Sequence, residues 1–247
     1  MNIAIILAGG SGSRIGYSVP KQFIEILGKP VMAYTLEIFQ SHPAIDIIEI
    51  VCPTESQPII QKIIDDYQIT KAKWFAESGD TFQSSTINGI FSLKGKVSDD
   101  DIVLLHSASS PMVTPEIIED SIRVCKEHGN AVAANEMILC TGIKDNEYSS
   151  STSILRENLI GFNFPWTFRY SLVSSVYERA IETGDINTLE PHTSSVLLAY
   201  GYTLYFSKSS TSNIKITHKE DLDLFEGYLL LREKRTAEST ISEDLND

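Results

Sequence analysis

Residues 2–16, NIAIILAGGSGSRIG, join a continuous apolar run to a glycine-rich segment that carries a cation. The run at 2–8 is rich in β-branched residues and has no polar alternation, which predicts a parallel strand buried on both faces. The glycines after it let the backbone approach a ligand closely, and successive N–H groups can hold an anion. Arg14 adds a planar cation. Because ligands bind at the carboxyl ends of strands in open α/β sheets, the stretch predicts a phosphate-binding loop.

The sequence that follows alternates between strand and helix patterns up to about position 134. Such alternation predicts an α/β fold with a doubly wound, mostly parallel sheet and right-handed crossovers. The strands are expected at 2–8, 46–52, 72–76, 101–106 and 130–134, and the helices at 30–41, 55–67, 81–93 and 114–128.

The alternation stops at 136–161, which is polar, rich in Ser and Thr, and without a helical period. This segment is expected to leave the core as a β-arm or hairpin. Residues 236–247 (TAESTISEDLND) are acidic and unpatterned, and are expected to form a disordered tail. The sequence therefore predicts one domain over 1–235. Its remaining elements are expected to be helices at 170–183, 192–200 and 221–235 and a strand at 202–206.

Composition limits the classes of partner. The chain of 247 residues carries 20 Lys and Arg against 33 Asp and Glu, a net charge of −13. This balance argues against a binder of nucleic acid or of an anionic membrane surface. No basic leader and no apolar run of about 18 residues is found, so we expect a cytoplasmic protein with no membrane partner. The three cysteines include no CxxC pair and are expected to be buried apolar residues.

The glycine-rich segment matches neither the GxxxxGK[ST] pattern nor a dinucleotide fingerprint. Together with later segments, however, it resembles the cytidylyltransferase family that includes the methylerythritol-phosphate and ribitol-phosphate enzymes. That resemblance implies a Rossmann-like nucleotidyltransferase fold with a protruding β-arm. The segments that carry it, in order, are LAGGSGSRIG (7–16), PKQF (20–23), GKPV (28–31), SGDTFQSSTINGI (78–90), IVLLHSASSP (102–111), ILRENL (154–159) and SNIKITHKEDL (212–222).

The resemblance implies transfer of CMP from CTP to a sugar or polyol phosphate, with release of pyrophosphate. Arg14, Lys21 and Lys215 would act on the phosphates as the catalytic cations. Arg156, on the arm, would bind the acceptor phosphate across a homodimer, and Trp166 would lie in the acceptor pocket. The residues expected around the nucleotide are Ala8, Gly9, Gly10, Gly12, Gly79, Ser84, Ser85 and Ser107.

Several positions depart from the family pattern. Ser107 stands where relatives have an aspartate that helps to hold Mg²⁺, and a hydroxyl is a much poorer ligand for a hard dication. Ser110 and Phe82 each replace an arginine, and Trp166 lies in a changed acceptor segment. No metal ligand is therefore assigned to the protein, and Mg²⁺ is expected to be held mainly by the CTP phosphates.

These departures leave alternatives open. The first is an active cytidylyltransferase with a ribitol-5-phosphate-like acceptor, serving surface polysaccharide synthesis. The second is a weak or inactive CTP-binding relative that acts as a partner or regulator. A methylerythritol-phosphate cytidylyltransferase is a third. An interaction module without a nucleotide role is disfavoured because the GGSGSR, PKQ and NIK segments are intact.

Overall fold

The fold is described from a computed structural model, which places residues 1–10 and 19–244. Two predicted site residues, Gly12 and Arg14, lie outside the described residues. The first half of the chain forms β1 (Asn2–Leu7), β2 (Glu25–Ile26), β3 (Lys29–Pro30), α1 (Val31–Ser41), β4 (Ile47–Cys52), α2 (Gln57–Asp66), β5 (Ala72–Glu77), α3 (Phe82–Ser92), β6 (Ile102–Ser107) and α4 (Pro115–His128). The second half forms β7 (Asn130–Glu136), β8 (Thr141–Ile143), β9 (Thr152–Ile154), β10 (Ile160–Arg169), α5 (Tyr170–Glu182), α6 (Thr193–Ala199), β11 (Phe206–Ser207) and α7 (Lys219–Asp244).

The main sheet has seven strands in the order β11-β7-β10-β6-β1-β4-β5. All neighbours pair in parallel except β10, which is antiparallel to both β6 and β7. The predicted doubly wound, mostly parallel sheet is thus confirmed, with β1 near its centre. The small β2–β3 ladder is separate from this sheet.

Strand β10 was not predicted, because Pro165 interrupts its apolar run and proline is rare inside a sheet. The structure accommodates the proline with a register shift: β10 pairs with β7 up to Asn163 and resumes at Trp166. The insertion of β10 places Trp166 directly opposite Leu105 of β6. This position brings the end of the arm segment back into the core.

Side chains on the two faces of the sheet enter two separate apolar layers. Along β1, Ala4 and Ile6 pack in the layer beneath α1, α2 and α4, whereas Ile3 and Ile5 pack with α3, α5 and α6. This two-residue alternation is the period of a strand. All four side chains are fully buried, so the strand is covered on both faces as predicted.

The ends of the chain's helices follow local signals in part. Thr81 caps α3 through a capping box with Ser84, and Gly129 ends α4 in the left-handed region at φ 88°. The last helix, α7, continues to Asp244, past its expected end at 235, and no glycine or proline after Gly227 interrupts it. None of the helices in the described ranges is both long and apolar enough to cross a membrane.

The segment at 136–161 contains a two-stranded hairpin of β8 and β9, with Gly142 paired to Ser153. Its side chains are largely exposed, including the apolar Ile138 and Leu139. Cys140 is also exposed, which corrects the expectation that all three cysteines are buried. The polar composition of the hairpin accounts for this, since few neighbouring side chains could cover the thiol. The expected strand at 202–206 is found only as the two-residue strand β11, which begins at the last of these positions.

The contact of α3 with the sheet gives a test of the fold. A Cβ atom on Gly89 would lie 2.7 Å from Cγ2 of Val51 and 3.0 Å from Cγ2 of Ile5. Both neighbours are fully buried and cannot move aside. We expect Gly89→Ala to lower the free energy of unfolding by about 1–3 kcal/mol, the usual scale of overpacking. Gly227→Ala is the control, because its Cβ meets nothing within 4 Å and should stabilise α7 by about 1 kcal/mol. Urea denaturation measures both, and equal effects would contradict the packing.

Candidate functional site

A cavity of about 580 Å³ opens at the carboxyl ends of the parallel strands. Its wall begins at Gly9 and Gly10 after β1 and continues along the loops that follow β4, β5 and β6. A last portion comes from the loop before α7. This placement agrees with the general rule for ligands in open α/β sheets. The lining residues include Leu7, Gly9, Gly10, Lys21, Gln22, Pro53, Glu55, Glu77, Gly79, Asp80, Phe82, Ser85, Ser107, Ser109, Lys215 and Thr217.

Most of the predicted residues that the structure describes line this cavity, but two of those expected around the nucleotide, Ala8 and Ser84, do not. Ala8 is buried beneath it, and its carbonyl accepts a hydrogen bond of 2.8 Å from Nε2 of Gln22. Ser84 is engaged with Thr81 in the cap of α3. Both residues therefore support the shape of the cavity from behind. The predicted residues that line it are Gly9, Gly10, Lys21, Gly79, Ser85, Ser107 and Lys215.

Two glycines are required by close packing at the floor of the cavity. A Cβ atom on Gly9 would lie 2.8 Å from Cβ of Ser78, and one on Gly79 would lie 2.2 Å from Oγ of Ser84. Ser85 ties this loop together, since its hydroxyl accepts from the Gly79 N–H at 3.1 Å and donates to the Thr81 carbonyl at 2.9 Å. The turn is thus built with its backbone close to the cavity.

Two lysines, Lys21 and Lys215, reach the cavity from distant parts of the chain. Lys21 begins a short 3-10 turn and is buried, and its Nζ donates to the Ile216 carbonyl at 2.6 Å. Lys215 Nζ lies 5.0 Å from the centroid of the Phe82 ring and 5.6 Å from that of Phe164. Cation–π attraction therefore holds the Lys215 ammonium against an aromatic surface.

A second cavity of about 370 Å³ adjoins the first. Phe82 and Lys215 line both cavities, so the two spaces meet at these side chains. Trp166 forms part of the second wall and stacks on Phe164 at 4.7 Å between ring centroids. The sequence analysis identified Phe82 and Trp166 as positions that differ from the family pattern. It did not predict that aromatic rings would hold the Lys215 ammonium group.

The floor near the end of β6 is neutral. Ser107 Oγ lies 3.0 Å from Oγ of Ser109. Burial of His106, together with the charge of Lys215, lowers its pKa to about 4. The hydrogen bond to the Ser110 carbonyl acts in the other direction and raises the pKa, but it is outweighed. At neutral pH the ring is therefore uncharged and donates through Nε2 to that carbonyl at 2.9 Å. His106 thus has the structural role expected from its place at the end of a buried strand.

Three acidic residues in the wall of the first cavity were not predicted by the sequence analysis. Glu55, Glu77 and Asp80 all line it. Glu77 is fixed by hydrogen bonds from the backbone N–H and the hydroxyl of Thr54. The SGD segment was a signal for Asp80, whereas no local pattern indicated the two glutamates. Within the ranges the structure covers, no group of three or more His, Cys, Asp or Glu side chains is arranged to hold a metal ion.

Arg156 is not brought to either cavity of its own chain. It lies on the arm directly after β9 and donates through Nη1 to the Ile138 carbonyl at 3.1 Å. The side chain is exposed. Its contribution to the cavity of a second chain remains a prediction.

Comparison with known proteins agrees with this architecture. The most similar relatives include a ribitol-5-phosphate cytidylyltransferase of Lacticaseibacillus paracasei, 37% identical over 95% of this chain and 99% of the relative. A 2-C-methyl-D-erythritol 4-phosphate cytidylyltransferase of Clostridium botulinum is 36% identical over 92% of this chain and 97% of its own. The crystal structure of a 4-diphosphocytidyl-2C-methyl-D-erythritol synthase from Anaerococcus prevotii shares the fold, with a TM-score of 0.78 at 23% identity, covering 93% of this chain and 98% of that one.

The family model for 2-C-methyl-D-erythritol 4-phosphate cytidylyltransferase (IspD) matches residues 2–231. This range contains both cavities and every candidate site residue. The chain therefore belongs to the IspD family of cytidylyltransferases.

Proposed function

We propose that the protein transfers CMP from CTP to a polyol or sugar phosphate of the ribitol-5-phosphate type and releases pyrophosphate. The observation that carries the proposal is the position of Lys215, which lines both cavities. One cavity would hold the triphosphate and the other the acceptor, so the reacting groups would meet at this cation. The names of two relatives, at 37% and 30% identity, support a ribitol-5-phosphate acceptor.

The reaction needs positioning and charge stabilisation but no covalent nucleophile. A phosphate oxygen of the acceptor attacks the α-phosphorus of CTP and forms a P–O bond, while the bond to the pyrophosphate group breaks. The backbone at Gly9 and Gly10 approaches the nucleotide, and Lys21 offsets the charge of the phosphates. Lys215 stabilises the charge that develops on the α-phosphate oxygens. Fixed cations of this kind lower the barrier because they need no reorganisation during the reaction.

The donor set suits a magnesium ion carried by its substrate. Mg²⁺ prefers hard oxygen ligands and commonly binds through substrate phosphates and water. Ser107 offers only a neutral hydroxyl that is already paired with Ser109. We therefore assign most of the ligands to the CTP phosphates. When bound, the ion would neutralise part of the triphosphate charge.

The proposal also covers the oligomeric state of the protein and the place of the reaction in the cell. We infer a homodimer through the arm at 136–161, in which Arg156 reaches the acceptor phosphate in the second chain. Because CTP is a cytoplasmic metabolite, we place the reaction in the cytoplasm. The CDP-linked product would be an activated unit for surface polysaccharide.

Pyrophosphate release tests the function and the role of Lys215 together. With CTP and Mg²⁺, we expect turnover with ribitol 5-phosphate and little with 2-C-methyl-D-erythritol 4-phosphate. Lys215→Met should slow turnover about 100-fold, the scale for one lost donor to a developing charge. Lys94→Met is the control, because that side chain is 79% exposed on another surface. Calorimetric binding of CTP without turnover of either acceptor would instead indicate a non-catalytic nucleotide binder.

The serine at position 107 gives a test of the metal assignment. Ser107→Asp places a carboxylate where relatives have one, and it should lower the Mg²⁺ concentration for half-maximal activity about tenfold, which corresponds to about 1.4 kcal/mol. Ser107→Asn is the matched control, since it has nearly the same size without charge. Metal titrations of pyrophosphate release measure both. A slower rate and unchanged metal dependence for Ser107→Asp would contradict a simple loss of a ligand.

The proposed dimer predicts a mass in solution twice that of the 27.4 kDa chain. Leu139 of the arm is 70% exposed, and a charge there should disfavour an apolar interface. We expect Leu139→Asp to shift the molecule toward monomer in light scattering at micromolar concentration. Leu224→Asp, on α7 and 62% exposed, should leave the dimer intact. A monomeric wild-type protein would refute the assembly.

A further inference from the structure

The second cavity has two chemically different walls. One wall is aromatic and consists of Phe82, Phe164 and Trp166, whose rings pack against one another. The other wall is polar and comes from the loop before α6 and its first turn, with Glu190, His192, Ser194 and Ser195 among its residues. A ligand in this space would face apolar rings on one side and hydrogen-bonding groups on the other.

The polar wall is organised around Glu190. Its Oε1 accepts from Nδ1 of His192, and its Oε2 accepts from the Ser195 hydroxyl at 2.5 Å. Partial burial alone would raise the pKa of Glu190, but the hydrogen bonds from Ser195 and His192 hold it below the usual range. The carboxylate is therefore charged at neutral pH, and it fixes His192 with a proton on Nδ1.

This arrangement leaves Nε2 of His192 to meet a ligand. No residue in the described ranges hydrogen bonds to Nε2. The imidazole lies 5.5 Å from the centroid of the Phe82 ring and 5.6 Å from that of Trp166, which holds it beside the aromatic wall. With Nδ1 held by the carboxylate, Nε2 is the ring atom that can form a hydrogen bond with a hydroxyl group of a ligand.

Charge decides which part of an acceptor binds there. Among the described residues of the second cavity, Lys215 is the one that carries a fixed positive charge, so a phosphate group would bind at its end. The Glu190 carboxylate would repel a phosphate placed beside it but tolerates neutral hydroxyls. The aromatic rings would pack against the C–H groups of the same carbon chain.

We propose that His192, held by Glu190 and Ser195, binds the hydroxyl groups of the acceptor and selects a linear polyhydroxylated phosphate. The proposal rests on the function proposed above, because it takes the second cavity as the acceptor site. His192 would contact substrate, whereas Glu190 and Ser195 would act as positioning residues.

The test separates acceptor binding from nucleotide binding. His192→Ala should raise KM for ribitol 5-phosphate about 3- to 10-fold, the loss of one neutral hydrogen bond, with Kd for CTP unchanged. His192→Gln should recover part of the loss, because its amide can reach the same space. Glu190→Gln should raise the acceptor KM less than His192→Ala does. His128→Ala is the control, since this histidine stacks on Tyr205 outside both cavities.

A second measurement distinguishes this proposal from the proposed function. Calorimetry measures binding of ribitol 5-phosphate to the wild type and to His192→Ala in the presence of CTP without a divalent metal. Binding that is weakened in the variant supports the assignment of His192 even if no pyrophosphate is ever released. Equal binding and equal KM in both proteins would overturn it while the transferase function stands. If the wild type neither binds nor converts ribitol 5-phosphate, both proposals are refuted.

Discussion

Parallel pairing of β1 with both β4 and β6 is the constraint on which the site depends. Leu7 is registered against Val51 on one side and against Ser107 on the other. Backbone hydrogen bonds continue the pairing past the strand ends, from Ala8 to Val51 at 2.8 Å and from Ala108 to Leu7 at 3.0 Å. The segments that follow these three strands therefore begin at the same edge, where Gly9 and Gly10 line one cavity together with Ser107 and Ser109.

The aromatic side chain at position 82 changes the electrostatics of that edge. The family pattern has an arginine there, which would repel Lys215 at short distance. In this chain the Phe82 ring lies 5.0 Å from the Lys215 ammonium and attracts it instead. The substitution thus fixes the cation shared by the two cavities but removes one positive charge from the proposed acceptor side. Recognition in the second cavity must then depend more on hydrogen bonds and packing than on charge.

The sequence predicted those features that depend on local patterns. Buried strands such as β1 and β6 were evident from their continuous apolar runs, and Gly129 indicated the end of α4. Strand β10 was not predicted because Pro165 interrupts its apolar pattern. The strand forms only with the register shift beside this proline. In the first cavity, the predicted residues came from the family resemblance. The Glu190–His192–Ser195 network could not be predicted, since His192 meets the rings of Phe82 and Trp166 only in the folded chain.

The changes at the site alter its charge in both directions. Compared with the family pattern, Ser107 removes one negative charge, whereas Ser110 and Phe82 each remove one positive charge. The neutral His106 adds none, because burial keeps its pKa near 4. Under the proposed function, the cavity floor would have to accept two anions, the triphosphate and the acceptor phosphate, which would repel each other where they meet. In the proposed reaction, loss of the carboxylate would weaken metal binding but would also remove a third negative charge from that meeting point, so Lys215 and a metal ion carried by the substrate would still offset the charge of the reacting phosphates.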